Sequence, residues 1–161
     1  MQAHDGAALI DAVTWALVGD LIKMRQGVCP DCAGRIDTEV VDASDQPVGD
    51  TIPASFATSS ECQQCLRFMS LPLTHAAAYH PESVAFHWEH DVDIMGTGMW
   101  EFHRYLHDGQ WAADRVGTDP DEYRVALRRD DATLRLYLDE NAAVTRTERV
   151  QRRNQDDHRS R

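Results

Sequence analysis

The sequence predicts an α+β protein, in which an N-terminal helix and a four-cysteine zinc ribbon precede a helical hairpin region and a C-terminal antiparallel β-meander. Three observations support this prediction. The four cysteines form two C-x-x-C pairs, residues 7–26 show apolar spacing typical of a helix, and the last third alternates apolar and polar residues between turn sequences. A chain of 161 residues fits one domain, or two small units that share a core.

The charge of the chain limits its partners. Its formal net charge is -11, from 16 basic and 27 acidic residues, which argues against general affinity for nucleic acid. Lys23 is the single lysine and most acidic residues are aspartate, a composition typical of a halophilic, high-salt cytoplasm or of a GC-rich genome. No apolar run approaches the roughly 18 residues of a membrane helix, and no secretory signal is found, so we expect a cytoplasmic protein.

The N-terminal unit, residues 1–26, is predicted to form one helix. Apolar side chains recur on one face, Asp5 is suited to cap the start, and Gly27 is suited to end it. Such a helix either packs on its own domain or pairs with a second chain or domain, and the sequence leaves both open. The apolar positions are Leu9, Ile10, Val13, Leu17, Leu21 and Met24, widened by Trp15 and Val18.

The cysteine pairs are the strongest chemical signal, and residues 33–61 lie between them. The C-x-x-C spacing lets two sulfurs of one tight loop face the same point, and four thiolates form a tetrahedron around one Zn²⁺ at about 2.3 Å. Four sulfurs leave no open coordination position, so such a site stabilises structure and does not hydrolyse a substrate. We therefore predict a zinc ribbon over residues 27–71, with one structural Zn²⁺ on Cys29, Cys32, Cys62 and Cys65.

The cysteines allow two other interpretations. A redox dithiol needs only one C-x-x-C pair and usually follows the strand of a βαβ unit, and no such unit is evident around either pair. Paired disulfides suit a secreted protein, whereas the sequence shows no secretory signal.

Turn residues and prolines divide the middle of the chain into short elements. In the ribbon, alternating residues predict strands on both sides of a loop at 43–54. Pro72 opens a helical region, in which Pro81 suits the first turn of one helix and Thr97 is suited to cap the next. The predicted ribbon strands are 35–42, 55–61 and 66–71, and the predicted helices are 73–79, 81–90 and 98–107.

The last third of the chain predicts a meander. Tyr123, Val125 and Leu127 alternate with other residues, and short connections imply antiparallel strands with one face on a core. The predicted strands are 110–117, 123–129, 133–138 and 143–147. With the helices before them they form an α+β unit, 72–149, and an Arg-rich, disordered tail is predicted at 150–161.

Histidines and aromatic residues offer weaker candidate sites. The pairs His87 with His90 and His103 with His107 have spacings that place each pair on one helix face, where they are candidates for a second metal. No H-E-x-x-H, nucleotide-binding or nucleophile motif is present, so we do not expect an enzyme. One aromatic set is a candidate lining of a small apolar ligand pocket, although such a set more often forms a core: Trp88, Trp100, Phe102, Trp111 and Tyr123.

The order of these parts resembles a known family. Residues 27–34 read GVCPDCAG after a Trp-containing helix, residues 59–65 read SSECQQC, and residues 80–86 read HPESVAF, with HDVD at 90–93. The strand sequences RVAL and LRLYLDE complete the order. Together they resemble the C-terminal half of haloarchaeal ArsR-like winged-helix transcriptional regulators, over about residues 12–150.

This resemblance implies zinc on the same four cysteines and a role in transcription regulation. The winged helix-turn-helix of that family is not found in the sequence, so its DNA-contacting residues do not carry over. We expect a regulatory or effector module that acts through a protein partner or as a homodimer and that senses a small ligand. The alternatives are direct DNA binding through the Arg-rich tail and a metal-dependent enzyme on the histidine-rich helices.

Overall fold

The structure, a computed structural model, describes residues 6–44 and 53–151, and it describes only the backbone of residues 6–8, 11 and 100. It confirms the predicted α+β class, with four helices and two antiparallel sheets in these residues. In chain order the elements are α1 (Gly6–Arg25), β1 (Ile36–Asp42), β2 (Phe56–Cys62), β3 (Phe68–Pro72), α2 (Leu73–Ala78), α3 (Pro81–Trp88), α4 (Met99–His107), β4 (Trp111–Thr118), β5 (Asp121–Arg129), β6 (Ala132–Leu138) and β7 (Val144–Gln151).

A glycine sets the end of α1. Gly27 adopts a φ of 75°, and its N–H donates to the carbonyl oxygen of Met24 at 2.9 Å, while the N–H of Val28 donates to that of Lys23 at 3.0 Å. These two bonds form a Schellman motif, which satisfies the last carbonyls of the helix and turns the chain sharply. The chain therefore enters the first cysteine pair directly. The predicted N-cap, Asp5, lies outside the described residues.

The ribbon strands form a three-stranded sheet with β2 in the middle. Thr38 of β1 faces Ser60 of β2, and their hydroxyl oxygens are 2.9 Å apart. The hairpin of β2 and β3 carries the second cysteine pair, as predicted for a ribbon. At its far end β3 runs straight into α2, since Pro72 is the last strand residue and Leu73 the first helical one. The ribbon is thus joined to the helical region without a linker.

The helical region contains the three predicted short helices. His80 caps α3, because its Nδ1 accepts a hydrogen bond from the N–H of Glu82 at 3.2 Å. The prediction that Thr97 caps α4 is wrong. Gly98 holds the N-cap position, and the hydroxyl of Thr97 donates instead to the carbonyl oxygen of Asp93 at 2.7 Å.

The four C-terminal strands confirm the meander, in the order β4-β5-β6-β7. Val125 of β5 faces Leu136 of β6, and both are fully buried. β7 extends to Gln151, so the predicted start of the tail at residue 150 is wrong: Val150 and Gln151 pair with β6. The remaining tail, residues 152–161, lies outside the described residues.

Two apolar clusters of unequal size fill the molecule. The larger lies between the meander and α2–α4, and it includes Phe86, Trp111 and Leu134. The ribbon reaches this cluster at one end, where the rings of Phe56 and Tyr123 meet edge to face with centroids 5.2 Å apart. The smaller cluster surrounds the cysteines and consists of Met24, Cys29, Ile36 and Cys62, with Met69 packed against it.

Candidate metal centre

The first cysteine pair lies in a tight loop between α1 and β1. Val28 and Arg35 close this loop with an isolated antiparallel bridge. Inside it the N–H of Cys29 donates to the carbonyl oxygen of Gly34 at 2.8 Å, and Ala33 adopts a φ of 58°. We call residues 29–34 the first knuckle.

The second knuckle, residues 62–67, repeats this conformation. The N–H of Cys62 donates to the carbonyl oxygen of Arg67 at 2.8 Å, and Leu66 adopts a φ of 60°. In both knuckles the residue after the C-x-x-C therefore has a left-handed backbone conformation. In both, the N–H of the first cysteine donates to the carbonyl oxygen five residues later. In addition the N–H of Gln64 lies 3.4 Å from the Sγ of Cys62.

The two knuckles meet closely at Gly34. A Cβ at this position would lie 2.9 Å from the side-chain amide of Gln64, a distance that real side chains do not tolerate. Only a glycine therefore lets the loops approach without moving Gln64. The side chain of Arg67 supports the same arrangement, because it pairs with Asp31 of the first knuckle at 3.4 Å and with Asp20 of α1 at 2.9 Å.

This approach brings the four sulfurs together. The Sγ atoms of Cys29, Cys32, Cys62 and Cys65 all lie within 4.8 Å of one another, and both Cys29–Cys65 and Cys32–Cys62 are 3.5 Å apart. Tetrahedral coordination at about 2.3 Å places sulfurs about 3.8 Å apart, so the spacing suits one metal ion. All four cysteines are free, which leaves no disulfide among them.

The thiols of Cys62 and Cys65 ionise over different pH ranges. Backbone N–H groups of Cys65 and Gln64 lower the pKa of Cys62 to about 6, which favours its thiolate near neutral pH. The N–H of Arg67 acts to lower the pKa of Cys65, but the three neighbouring thiols together with burial outweigh it and raise this pKa to about 12. A divalent cation among the sulfurs would offset this repulsion and favour all four thiolates. The donor set therefore fits a metal in charge as well as in distance.

The site has a buried and an open side. Cys29 and Cys62, the first cysteine of each pair, are buried, and Met24 and Ile36 belong to the same cluster. Cys32 and Cys65 are exposed to solvent. Four sulfurs complete a tetrahedron, so no position is left for a substrate or a reactive water.

The histidine pairs, candidates for a second metal, do not form such a group in the described residues, where the four cysteines are the single group of three or more candidate ligands. His87 is fully buried, and its Nδ1 donates to the carbonyl oxygen of Ser83 at 2.8 Å. His90 likewise donates from Nδ1 to the carbonyl oxygen of Phe86 at 2.7 Å. Each ring therefore uses one nitrogen on a carbonyl oxygen of α3.

Sequence reasoning overlooked His75, a buried histidine of α2. Its ring stacks at a tilt on that of His103, with centroids 4.9 Å apart, and meets Trp111 edge-on. Burial lowers the pKa of His75 to about 3, helped by the charge of His103, and burial lowers that of His87 to about 4. The alanines that follow His75 in α2, all buried, were the available signal.

The predicted aromatic pocket is not formed as expected. Phe102, Trp111 and Tyr123 are buried in the larger cluster, and the rings of Phe102 and Trp111 lie 4.9 Å apart. Trp88 is 69% exposed, and the side chain of Trp100 lies outside what the structure describes. The candidate side chains that the structure describes therefore either fill the core or, in the case of Trp88, face solvent.

A cleft of about 880 Å³ lies elsewhere, beside the cysteines. Its walls are the end of α1, the strands β1 and β2, and the turn at 141–144. Thr38 and Ser60 are among its polar lining residues, and the N–H of Val40 donates to the carbonyl oxygen of Glu140 at 2.8 Å, which ties the turn to β1. The volume falls within the range of ligand sites, roughly 300–1,000 Å³.

Comparison with known proteins places the chain in one family. A domain of unknown function, DUF7351, matches residues 1–144. The chain belongs to this family. The match spans α1, both knuckles, the helical region and the meander through β6. No curated protein and no solved structure matches the chain.

Among the helices that the structure describes, none combines the length and hydropathy needed to span a membrane.

Proposed function

We propose that this DUF7351 chain is a regulatory or effector module built around one structural Zn²⁺ and acting through protein–protein contact. The observation that carries the metal is the convergence of four sulfurs within 4.8 Å. Zn²⁺ favours tetrahedral thiolate sites, and the closed donor set gives it a structural role. Binding and folding are then linked, because the unfolded chain does not present the four thiolates together.

Zinc content tests this proposal directly. We expect native mass spectrometry of protein purified under reducing conditions to show one Zn²⁺ per chain, with elemental analysis identifying the metal. Cys62→Ser should carry none, since three ligands remain and the site loses one of its two buried sulfurs. Ser59→Ala, on the same strand, is the matched control and should keep one. A stable, metal-free wild-type protein in reducing buffer would contradict the proposal.

The regulatory role is supported by the resemblance of the ordered motifs to archaeal transcription regulators. A site closed by four sulfurs favours a structural role for the metal over a catalytic one. We expect gene deletion in the host to change a defined set of transcripts, and a Cys62→Ser allele to reproduce that change. The purified chain should not shift DNA alone at physiological salt. Unchanged transcripts would contradict the regulatory role and leave the metal proposal intact.

The cleft beside the knuckles favours a second candidate function, the binding of a small polar ligand. It is large enough, and hydroxyls and charged groups such as Thr38 and Arg35 line it. Ala143 stands at its wall and is exposed, so Ala143→Trp should fill the cleft without disturbing the core. We expect wild-type protein to retain a mass beyond chain and metal that Ala143→Trp lacks. Identical masses in both proteins would count against ligand binding.

A further inference from the structure

One apolar surface is left uncovered in the described part of the chain. On the first turns of α1, five large apolar side chains are between 38% and 56% exposed, and four of them, all but Trp15, lie on one face. Farther along the same face, Leu21 and Met24 are almost fully buried against the body. The apolar face of this helix therefore continues beyond its own domain. The exposed part, the α1 stripe, consists of Leu9, Ile10, Val13 and Leu17.

Before Leu21, the helix approaches its own body with a different side. Thr14 and Val18 line a small cavity together with the loop residues 95–98. Residues 9, 13 and 17 are four apart, so they form one row on another side of the helix. A single exposed apolar residue is ordinary on a protein surface, but a row on one helix face marks a contact surface.

The charge of α1, compared with that of the whole chain, indicates what kind of partner covers the α1 stripe. α1 contains two aspartates and two basic residues, so it carries no net charge, whereas the whole chain carries -11. Asp20, next to the stripe, is also paired with Arg67 at 2.9 Å. Two copies of an acidic chain repel one another over most of their surface, but not along this helix. The stripe itself is uncharged and suits another apolar row, which every copy of the chain presents.

We propose that a second copy of this chain covers the α1 stripe, with the two helices antiparallel about a two-fold axis near Val13. Leu9 of one copy then faces Leu17 of the other, because both lie four residues from Val13. Covering these half-exposed side chains and their flanks buries on the order of 1,000 Å² over both copies, about the lower bound of a specific interface. An isologous contact of this kind is the commonest form of homodimer.

Sedimentation velocity of the full chain tests the proposal. Wild-type protein should sediment at twice the mass of the 18.2 kDa chain. Val13→Asp should raise the dissociation constant roughly 100-fold or more, since it places two charges at the axis. Val116→Asp is the matched control, because Val116 is a similarly exposed valine, 42% against 51% for Val13, on the meander. It should leave the dimer unchanged. Added salt should tighten the dimer by screening the repulsion between copies.

A second variant guards against a folding defect. Ile10→Gln keeps good helix propensity at an exposed position of the stripe, and it should also weaken the dimer while zinc content and circular dichroism stay normal. A wild-type monomer at all concentrations would overturn the proposal and assign the stripe to a different chain. An unweakened dimer in both stripe variants would overturn it too. Zinc content is measured separately, so the failure of either proposal is recognised on its own.

Discussion

The ribbon and the meander are both small antiparallel sheets, but they are stabilised differently. The meander closes on a cluster of sixteen buried residues shared with the helices. The buried cluster around the cysteines has four residues, and two of those are the cysteines themselves. Burial of apolar surface therefore suffices for one sheet, whereas the other has too small a core to fold by burial alone. On the proposal that the four cysteines bind Zn²⁺, the metal would make up for the small size of the ribbon's core.

Removing the metal should produce the largest difference in stability between the two sheets. Structural zinc contributes an apparent binding free energy of about 10–16 kcal/mol in small sites, so a strong chelator should unfold the ribbon. We expect amide hydrogen exchange to rise sharply over residues 28–72 and to stay slow in β5 and β6. Equal protection in both sheets after zinc removal would show that the ribbon does not depend on the metal.

The opposite experiment removes core volume from the meander. Leu136 is fully buried in β6, and Leu136→Ala should cost about 2–5 kcal/mol in the free energy of unfolding. Chemical denaturation measures this loss, with zinc content expected to remain one per chain below the transition. Thr133→Ala, at a half-buried position of the same strand, serves as the control and should cost less. A variant that loses zinc before the meander unfolds would contradict the independence of the two regions.

Acid should weaken the helical core through its buried histidines. His75 and His87 have pKa values lowered to about 3 and about 4, mainly by burial, so they stay neutral in the folded state while the unfolded state binds protons below about 6.5. Stability therefore falls as pH drops from about 6.5 towards 4, by at most roughly 1.4 kcal/mol per pH unit for each histidine. Denaturation at pH 7 and pH 5 measures the slope, and His87→Gln should reduce it. An unchanged slope would mean that this histidine does not titrate on unfolding.

The smallest expected effects come from two surface arginines, one in each region. Arg67 pairs with Asp20 and Asp31 across the knuckles, and Arg149 of β7 pairs with Glu82 and Glu89. Each Arg→Gln change should cost less than about 1 kcal/mol, because the pairs are exposed or only half-buried. Arg67→Gln should also speed zinc loss to a chelator, and Arg149→Gln should not. Equal rates of zinc loss in the two variants would show that Arg67 does not stabilise the metal centre.

The sequence predicted most of the fold because periodicity and turn residues report it directly. The row from Leu9 to Met24 defined α1, and alternation around Val125 and Leu136 defined the meander. β7 was predicted too short, because its residues from Thr145 to Arg149 are polar on both faces. Pairing with β6 through the backbone, not side-chain burial, holds that edge strand.

The candidate site was predictable where chemistry constrains spacing. Two C-x-x-C pairs must converge to share one metal, and the sulfurs do lie together. The sequence could not show which aromatic residues are buried. Trp88 and Trp111 both occur in apolar contexts, and only tertiary packing exposes the first and buries the second. Nor does sequence spacing reveal the approach of Gly34 to Gln64, which depends on two loops far apart in the chain.

The direct junction of β3 and α2 has a mechanical consequence. A flexible linker would let the ribbon rotate freely and absorb any motion at the knuckles. Here Pro72 and Leu73 pass from strand to helix within one peptide bond, and α2 is buried along its whole length. The ring of His75 in α2 meets that of Trp111 edge to face in the larger cluster. A change in the orientation of β3 would therefore have to be accommodated by α2 and its buried neighbours, because no linker lies between them.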